Sequence, residues 1–366
     1  MRTSGEWRVV SGEWQLHRQT RHSPLTLRHF TGWPRTLTFL LLCIGWNSAR
    51  TQDIHFSQFF NTPYAASPAN VGLFEGQYRA GAMFRQQWRS VTVPYRTFGL
   101  GGDMTNVGGV EGLGAGLWLY NDRAGDSRLN TFQLSLGASW TGKLGPLKDQ
   151  SLTGGLQLGF TSLSIDYSQL SFDSQYNGFY YDPSLSSNEQ FNRDAFTHPD
   201  VHAGIIYRYT PTKRDLIQAG IALFNITTPD VAFNGGSSPL DRRSTLHVIT
   251  RFPVSAKVDV QPMTQFMAQG KFRELILGGS VRYILLDRYT YLRTLQAGLY
   301  WRASDAGYIF IGSEYDDWTF GLSYDINVSD LVPASRNRGG IEITAVRVFR
   351  RKPFVPVKFK ACPTQM

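Results

Sequence analysis

The sequence predicts an all-β fold, an antiparallel outer-membrane β-barrel of about 14 strands with periplasmic N- and C-terminal segments. Three features lead to this prediction. An apolar run typical of an export signal lies near the N-terminus, and segments of about ten residues alternate apolar and polar side chains. The longest connections between these segments also recur at odd positions along the chain, as the outer loops of a barrel do.

The composition is that of a β protein rich in Gly and aromatic residues, and it excludes a helical membrane protein. Charged residues make up 18% of the 366 residues, whereas a soluble domain averages about 25%. Aromatic residues are abundant, with 24 Phe, 17 Tyr and 9 Trp, and there are 36 Gly. The mean hydropathy of -0.25 excludes a helical membrane protein, because each spanning helix needs about 20 mostly apolar residues.

The net charge of +9 does not indicate a nucleic-acid partner. Residues 1–51 contain seven Arg and two Glu, a net +5, so the rest of the chain carries only +4. No long basic run occurs there, and nucleic-acid binding needs a clustered basic surface.

Residues 1–51 are predicted to form a cleaved signal peptide. The apolar run Leu37 to Trp46 follows two arginines and precedes small residues, and a cut after Thr51 would leave Gln52 as the first mature residue. The polar stretch before the run is longer than usual, which a start codon placed too far upstream would explain. The alternative is a buried helix. Cleavage would also remove Cys43 and leave Cys362 alone, which excludes an intramolecular disulfide.

Alternation of apolar and polar residues predicts the strands of the barrel, residues 78–350. In Trp318 to Asn327 every second residue is apolar, and the intervening ones are polar or small. Fourteen such segments begin near Tyr78, Tyr95, Gly112, Thr131, Leu152, Asp200, Leu216, Thr245, Lys257, Arg273, Leu295, Tyr308, Trp318 and Gly340. In the last one the apolar phase shifts after Ala345, which predicts either a β-bulge or the end of the strand there.

An even number of strands places both chain ends on the periplasmic side. Residues 52–77 are then a periplasmic N-terminal or plug segment, and residues 351–366 are a periplasmic C-terminal tail. The two longest connections, near residues 162–199 and 225–244, are the fifth and seventh and therefore lie outside. A soluble β-sandwich or lectin is the alternative fold, but its strands average only about 5 to 6 residues.

The order of motifs along the mature chain resembles the PorP/SprF family of outer-membrane proteins of Bacteroidetes. The family opens with a Phe-Ser-Gln run, an Asn-Pro and a Pro-Ala, which the segment Gln52 to Gly72 resembles, although Thr62 separates Asn61 from Pro63. Further matching motifs are Arg85–Trp88, Pro94–Tyr95, Gly220–Pro229, Arg242–Arg243 with His247, Gly298–Arg302 and Gly321–Asn327. Cys362-Pro363 resembles the family's closing motif, but Thr364-Gln365 replaces the usual Arg-Phe.

The resemblance implies a non-enzymatic component of the type IX secretion and gliding machinery. Such a barrel would be held by outer-membrane lipid and would anchor periplasmic ring or peptidoglycan-linked proteins, or a secreted surface adhesin. The candidate partner-binding residues are Asp53, Phe56, Ser57, Gln58, Phe59, Asn61, Pro63, Pro68, Cys362 and Pro363. The first segment would either plug the barrel or dock a partner, and Cys362 would be either a lone thiol or half of an intermolecular bridge.

No catalytic, cofactor or metal motif emerges from the residues. Asp200 and His202 are two apart and face the same side of a strand, which is more typical of a structural hydrogen bond than of a catalytic dyad, because no nucleophile motif accompanies them. The acidic stretch Asp182 to Asp200 matches no cation-binding loop. No cofactor is expected. The alternatives are a transport barrel for a small or apolar solute and a surface hydrolase that would depend on His202.

Overall fold

The computed structural model describes residues 7–10, 13–16, 54–89, 93–189, 193–233, 235–288, 291–329 and 332–350. The chain forms two units, residues 1–47 and 48–366. In the first unit, β1 (Trp7–Val10) and β2 (Glu13–Leu16) pair as an antiparallel hairpin. The apolar run of the predicted signal peptide and the residues at its cleavage point lie outside the described residues, so cleavage stays a prediction.

In the second unit, fourteen strands form a closed antiparallel barrel, which confirms the predicted fold. Each strand begins within five residues of its predicted start. The strands are β3 (Tyr78–Gln87), β4 (Tyr95–Met104), β5 (Leu113–Ala124), β6 (Leu129–Leu144), β7 (Gln150–Ser164), β8 (Ala195–Tyr209), β9 (Leu216–Phe224), β10 (Arg243–Pro253), β11 (Val258–Gln269), β12 (Phe272–Arg288), β13 (Tyr291–Arg302), β14 (Ala306–Tyr315), β15 (Trp318–Asn327) and β16 (Arg338–Phe349). Among the described residues, no helix is long and apolar enough to span a membrane.

Pairing between the first and last strands closes the barrel and brings the two ends of the barrel domain together. Phe349 at the end of β16 lies opposite Tyr78 at the start of β3. We call this rim the inner rim and the opposite one the outer rim. The two longest connections, residues 165–194 and 225–242, both lie at the outer rim, as their odd positions predict. A short helix, α2 (Val332–Ser335), lies in the last outer connection.

The outward face of the barrel is mainly apolar. Leu136, near the middle of β6, keeps 64% of its side chain exposed, and its neighbours on both sides along the outer face are also apolar. Exposed aromatic residues cluster near the inner rim; they are Tyr78, Trp140, Tyr207, Phe252, Tyr291, Tyr315, Trp318 and Phe349. An apolar band bordered by aromatic residues is the surface that a bilayer covers.

Strand β16 differs from the prediction of a bulge or an end after Ala345. Its pairing with β3 and β15 continues without a shift through Val346 and Arg347. Arg347 faces outward near the inner rim, where its guanidinium stacks over the rings of Trp318 at 5.2 Å and Phe349 at 4.6 Å. Aromatic contacts therefore accommodate a charge on the lipid side, and the apolar Val346 faces the lumen.

Residues 54–77, which we call the luminal segment, lie inside the barrel. The segment contains α1 (Pro63–Ala66) and a 3-10 turn (Pro68–Asn70). Each begins with a proline, which is suited to the first position of a helix because that position needs no backbone N–H. Ser67 caps the turn by accepting a hydrogen bond from the Ala69 N–H at 3.2 Å.

Candidate functional site

The luminal segment runs from the outer half of the lumen to the inner rim. At its start, Arg243 at the outer end of β10 donates to the Ile54 carbonyl at 3.0 Å. At its end, the Gln77 N–H donates to the carbonyl of Phe349 at 2.8 Å. The segment therefore enters the described structure deep inside the barrel and leaves it where the first strand begins.

A cluster of wall side chains, the outer clamp, binds Ser57 and Gln58. Both backbone N–H groups donate to the carboxylate of Glu342, at 2.8 and 2.9 Å. The Ser57 hydroxyl donates to Asp325 at 2.9 Å and accepts from Arg302 at 2.8 Å, and the Ser57 carbonyl accepts from Tyr308 at 2.7 Å. Every polar group of Ser57 therefore has a partner on the wall.

The Gln58 side chain is held in the same way. Its amide nitrogen donates to the Glu342 carbonyl at 2.9 Å and to Ser323 at 3.2 Å, while its oxygen accepts from Thr344 at 2.7 Å. Asn61 also donates to that oxygen at 3.0 Å. These contacts use all the donors and acceptors of one amide, so another residue type would leave buried groups unpaired.

Ion pairs link the charged residues of the outer clamp. Arg85 lies 3.3 Å from Asp325 and 3.8 Å from Glu342, and it also donates to the carbonyl of His55. Arg302 lies 3.3 Å from Asp325 and 3.7 Å from Glu274. Buried charges are tolerated when they are paired, and each of these five groups lies 3.8 Å or less from an opposite charge.

A second cluster near the inner rim, the inner clamp, is built on Asp103 of β4. Its carboxylate accepts from the Tyr64 hydroxyl at 2.8 Å and from the Gly72 N–H at 2.7 Å. Arg79 binds the same carboxylate with two nitrogens, at 3.0 and 2.6 Å, and donates to the Asn70 carbonyl at 2.8 Å. One wall carboxylate thus fixes two points of the luminal segment.

Aromatic side chains of the segment fill the space between the clamps. Phe56 and Tyr64 belong to one buried cluster with Trp118, on which Tyr64 stacks with ring centroids 5.4 Å apart. Phe59 belongs to a separate cluster with Tyr300 and other residues of the opposite wall. The segment therefore bridges two sides of the lumen.

Glycines on the inner face of the wall make room for the segment. A Cβ added at Gly155 would lie 2.6 Å from the backbone of Ala69, closer than real contacts allow. A Cβ at Gly101 would meet the Tyr64 ring, and one at Gly321 would meet the Gln58 side chain. The sequence reveals glycines in these strands, and the fold shows that several of them mark where the segment touches the wall.

Small cavities lie beside the luminal segment. Two cavities lie beside it, with volumes of about 10 and 20 Å³. Each has room for about one water molecule. The lumen in this state therefore offers no room for a solute beside the segment at these two places.

The structure places most of the predicted partner-binding residues inside the lumen. Phe56, Ser57, Gln58, Phe59 and Pro68 are buried, and Asn61 and Pro63 are partly buried. Asp53, Cys362 and Pro363 lie outside the described residues. A role for any of these residues in binding a partner stays a prediction.

Sequence reasoning missed the wall residues of the two clamps. Glu342, Asp325, Arg302, Arg85 and Asp103 are charged residues on the inner face of strands. A signal was available, since a charge at an inward position needs a partner when the lumen is filled. What the sequence could not supply was the pairing of residues as far apart as Ser57 and Glu342.

Asp200 and His202, which the sequence suggested as a pair, each contact another residue. Both side chains face the lumen, but Asp200 contacts His198, with Nδ1 and Oδ1 3.0 Å apart. The Nδ1 of His202 instead accepts from the Asn225 N–H at 3.0 Å. Among the residues described, no three metal-ligating side chains are grouped.

Comparison with known proteins places this chain in a family. The family model described as type IX secretion system membrane protein PorP/SprF matches residues 48–346. No match occurs among curated proteins.

Solved structures of outer-membrane proteins are similar to this chain at low identity. The Pseudomonas putida toluene transporter TodX is 12% identical, with a TM-score of 0.46, over 78% of this chain and 92% of that one. A Pseudomonas aeruginosa FadL homologue is 12% identical, with a TM-score of 0.42, over 79% and 95%. The family match spans most of the chain and agrees with the barrel, its apolar belt and the resemblance of its motifs. The chain therefore belongs to the PorP/SprF family of type IX secretion system membrane proteins and is a barrel of the outer membrane.

Proposed function

We propose that this chain is a non-enzymatic anchor of the type IX secretion and gliding machinery, with a closed lumen. It holds periplasmic ring or peptidoglycan-linked proteins, or a secreted adhesin, at the outer membrane. The observation that carries the proposal is the luminal segment, which is clamped at both ends and leaves water-sized cavities beside it. A barrel that fills its own lumen is suited to anchorage more than to the passage of a solute.

The inner rim supplies exposed apolar groups on which a periplasmic protein would dock. Leu147, in the connection between β6 and β7, is 82% exposed, and Val110 and Val254 are exposed in two other connections of this rim. Connections at the rim of both chain ends face the periplasm in bacterial barrels. In the sequence, residues 351–366 follow β16 and contain four cations, with five apolar or aromatic residues between Phe354 and Ala361. A protein that binds partners through this face acts at the outer membrane without catalysing a reaction.

An engineered disulfide between the luminal segment and the wall tests whether the protein acts as an anchor or as a transport channel. A Cβ at Gly204 would contact the Ser67 hydroxyl, so Ser67→Cys combined with Gly204→Cys, in a Cys362→Ser background, would tie the luminal segment to the wall. We expect the oxidised, locked barrel to support secretion of type IX cargo as well as the reduced one does. Ser67→Cys alone is the control. Secretion that stops on oxidation and returns on reduction would contradict the proposal and favour a channel that must open.

Deletion of the chain tests the assignment itself. We expect a deletion strain to lose secretion or surface retention of type IX cargo, with uptake of small apolar solutes unchanged. Removal of residues 354–366 should leave a folded barrel that no longer pulls down periplasmic partners. Normal secretion with impaired solute uptake, or retention of all partners by the truncated chain, would reject anchorage.

A further inference from the structure

The longest outer connection, residues 165–194, folds into a compact structure that presents aromatic side chains. Tyr176 and Tyr181 form an isolated antiparallel bridge, and Asn177 turns the chain between them. The Asn177 side chain accepts from the N–H groups of Phe179 and Tyr180, at 3.0 and 3.1 Å. The loop therefore ends in a hairpin tip that its own backbone bridge and the Asn177 side chain hold together.

The rest of the connection supports this tip. Gln175 donates from its side chain to the Leu185 carbonyl at 3.1 Å, and Ser174 donates to the Ser187 carbonyl at 2.6 Å. At the base, Phe233 of the neighbouring connection packs edge to face on Tyr167, with ring centroids 6.4 Å apart. The two long outer connections thus form one supported surface, which we call the outer crown.

The aromatic side chains at the tip point into solvent. Phe179 is 91% exposed, and Tyr176, Tyr180 and Tyr181 are also exposed. The tip lies in an outer connection, beyond the ends of the strands that cross the bilayer, so lipid does not account for its apolar surface. Several exposed aromatic residues together, held by a rigid turn, are typical of a binding surface.

The charge of the outer crown indicates which kind of ligand it would attract. The two connections, residues 165–194 and 225–242, contain two cations, Arg193 and Arg242, although the whole chain is net positive. Their seven acidic residues are Asp166, Asp173, Asp182, Glu189, Asp194, Asp230 and Asp241. Hydrogen bonds from Ser184 hold the pKa of Asp182 below its usual range, and those from Ser168 do the same for Asp166. The crown is therefore anionic at neutral pH.

Other ligands fit this surface less well. An anionic lipid headgroup needs cations, but Arg193 is the one cation between residues 165 and 194, and it is committed to the Ala232 carbonyl and the Phe196 ring. A sugar needs planar polar groups aimed outward, whereas Asn177 and Gln175 are used within the loop. Aromatic rings beside carboxylates instead suit Lys and Arg, through cation–π contacts and charge attraction.

We propose that the aromatic tip of the outer crown docks a cationic segment of a protein outside the cell. This inference rests on the proposed anchoring function and names the surface and the partner chemistry that would serve it. Phe179 and Tyr180 would provide the ring faces, and the surrounding carboxylates would attract the Lys and Arg side chains.

The test uses the full chain in its native outer membrane. A photo-crosslinking phenylalanine analogue replaces Phe179, and a control replaces Val328, which is exposed in another outer connection. We expect position 179 to crosslink a secreted protein through a peptide richer in Lys and Arg than in Asp and Glu. Changing Asp173→Asn, Asp182→Asn and Glu189→Gln together should lower the yield at least threefold. No crosslink, a neutral or acidic peptide, a polysaccharide, or equal yields from positions 179 and 328 would overturn the inference.

A second variant distinguishes this inference from the proposed function. The double variant Phe179→Ser with Tyr180→Ser removes the rings without touching the lumen or the inner rim. We expect surface retention of the crosslinked protein to fall at least fivefold, while assembly of the periplasmic partners is unchanged. Unchanged retention in this variant, alongside a secretion defect in the deletion strain, would reject the docking surface and leave the anchoring function intact.

Discussion

The carboxylate of Glu342 binds the backbone of Ser57, although the two residues are 285 positions apart in the chain. One oxygen accepts the Ser57 N–H at 2.8 Å and the other accepts the Gln58 N–H at 2.9 Å. Hydrogen bonds to an ionised acceptor are about twice as strong as neutral ones. The last barrel strand therefore holds the segment that precedes the first strand, and closure of the barrel builds the site.

Glu342→Gln should loosen the outer clamp. A glutamine amide offers one oxygen, so one of the two buried N–H groups loses its acceptor and Arg85 loses part of its charge balance. We expect the free energy that keeps the luminal segment bound to the wall to fall by about 2 kcal/mol. Recordings in planar bilayers should then show brief channel openings. Glu111→Gln, at an exposed inner-rim position, is the control. Conductance traces that match the wild type would contradict a clamping role.

Asp103→Asn should weaken the inner clamp more strongly. The change removes the charge that pairs with Arg79, whose guanidinium is largely buried, and breaking such a pair costs about 3 kcal/mol. We expect a lower midpoint of urea unfolding for the purified barrel in detergent. The two clamps share no residues, so the effect should add to that of Glu342→Gln. A strongly non-additive double variant would show that the luminal segment moves as one unit.

Gly155→Ala should displace the luminal segment from the wall. The new Cβ would lie 2.6 Å from the backbone of Ala69, and overpacking of this kind costs about 1 to 3 kcal/mol. Gly154→Ala is a matched control in the same strand, because nothing lies within 4 Å of a Cβ there. Amide hydrogen exchange measures the outcome, and we expect faster exchange at Ala69 to Val71 in the first variant only. Equal exchange in both would place the segment away from this wall.

Leu136→Arg should impair insertion into the bilayer. Leu136 lies near the middle of β6 on the outward face, where a cation costs about 2 to 4 kcal/mol. Leu147→Arg, in an exposed inner-rim connection, should fold into lipid vesicles as the wild type does. Folding is read from the mobility difference between heated and unheated protein. If both variants insert equally well, the outward face of β6 does not contact lipid at this depth.

The strands could be predicted because residues that face lipid and residues that face the lumen alternate within each strand. In Trp318 to Asn327 each residue faces either lipid or lumen, so the period of two is visible in one strand without its neighbours. This alternation fails after Ala345, where the apolar Val346 faces the lumen and the charged Arg347 faces outward. There the alternation predicted a bulge, and the structure has a continuous strand.

The candidate site could be predicted only as a list of residues. The Phe56 to Pro68 stretch stands out by its composition and by its resemblance to a family motif. Whether it plugs the barrel or meets a partner depends on contacts with residues hundreds of positions away. In the structure its buried residues contact the wall, which accounts for their side chains without a partner.

The amino-acid order alone specified an outer-membrane barrel, its number of strands and the sides of its long connections, because alternation and strand length are local properties. Folding in three dimensions decided that residues 54–77 occupy the lumen, that Glu342 and Asp103 hold them, and that the outer crown carries an anionic aromatic tip. The physical reason is that a buried charge acquires its partner only when the cylinder closes, and closure joins strands from opposite ends of the chain.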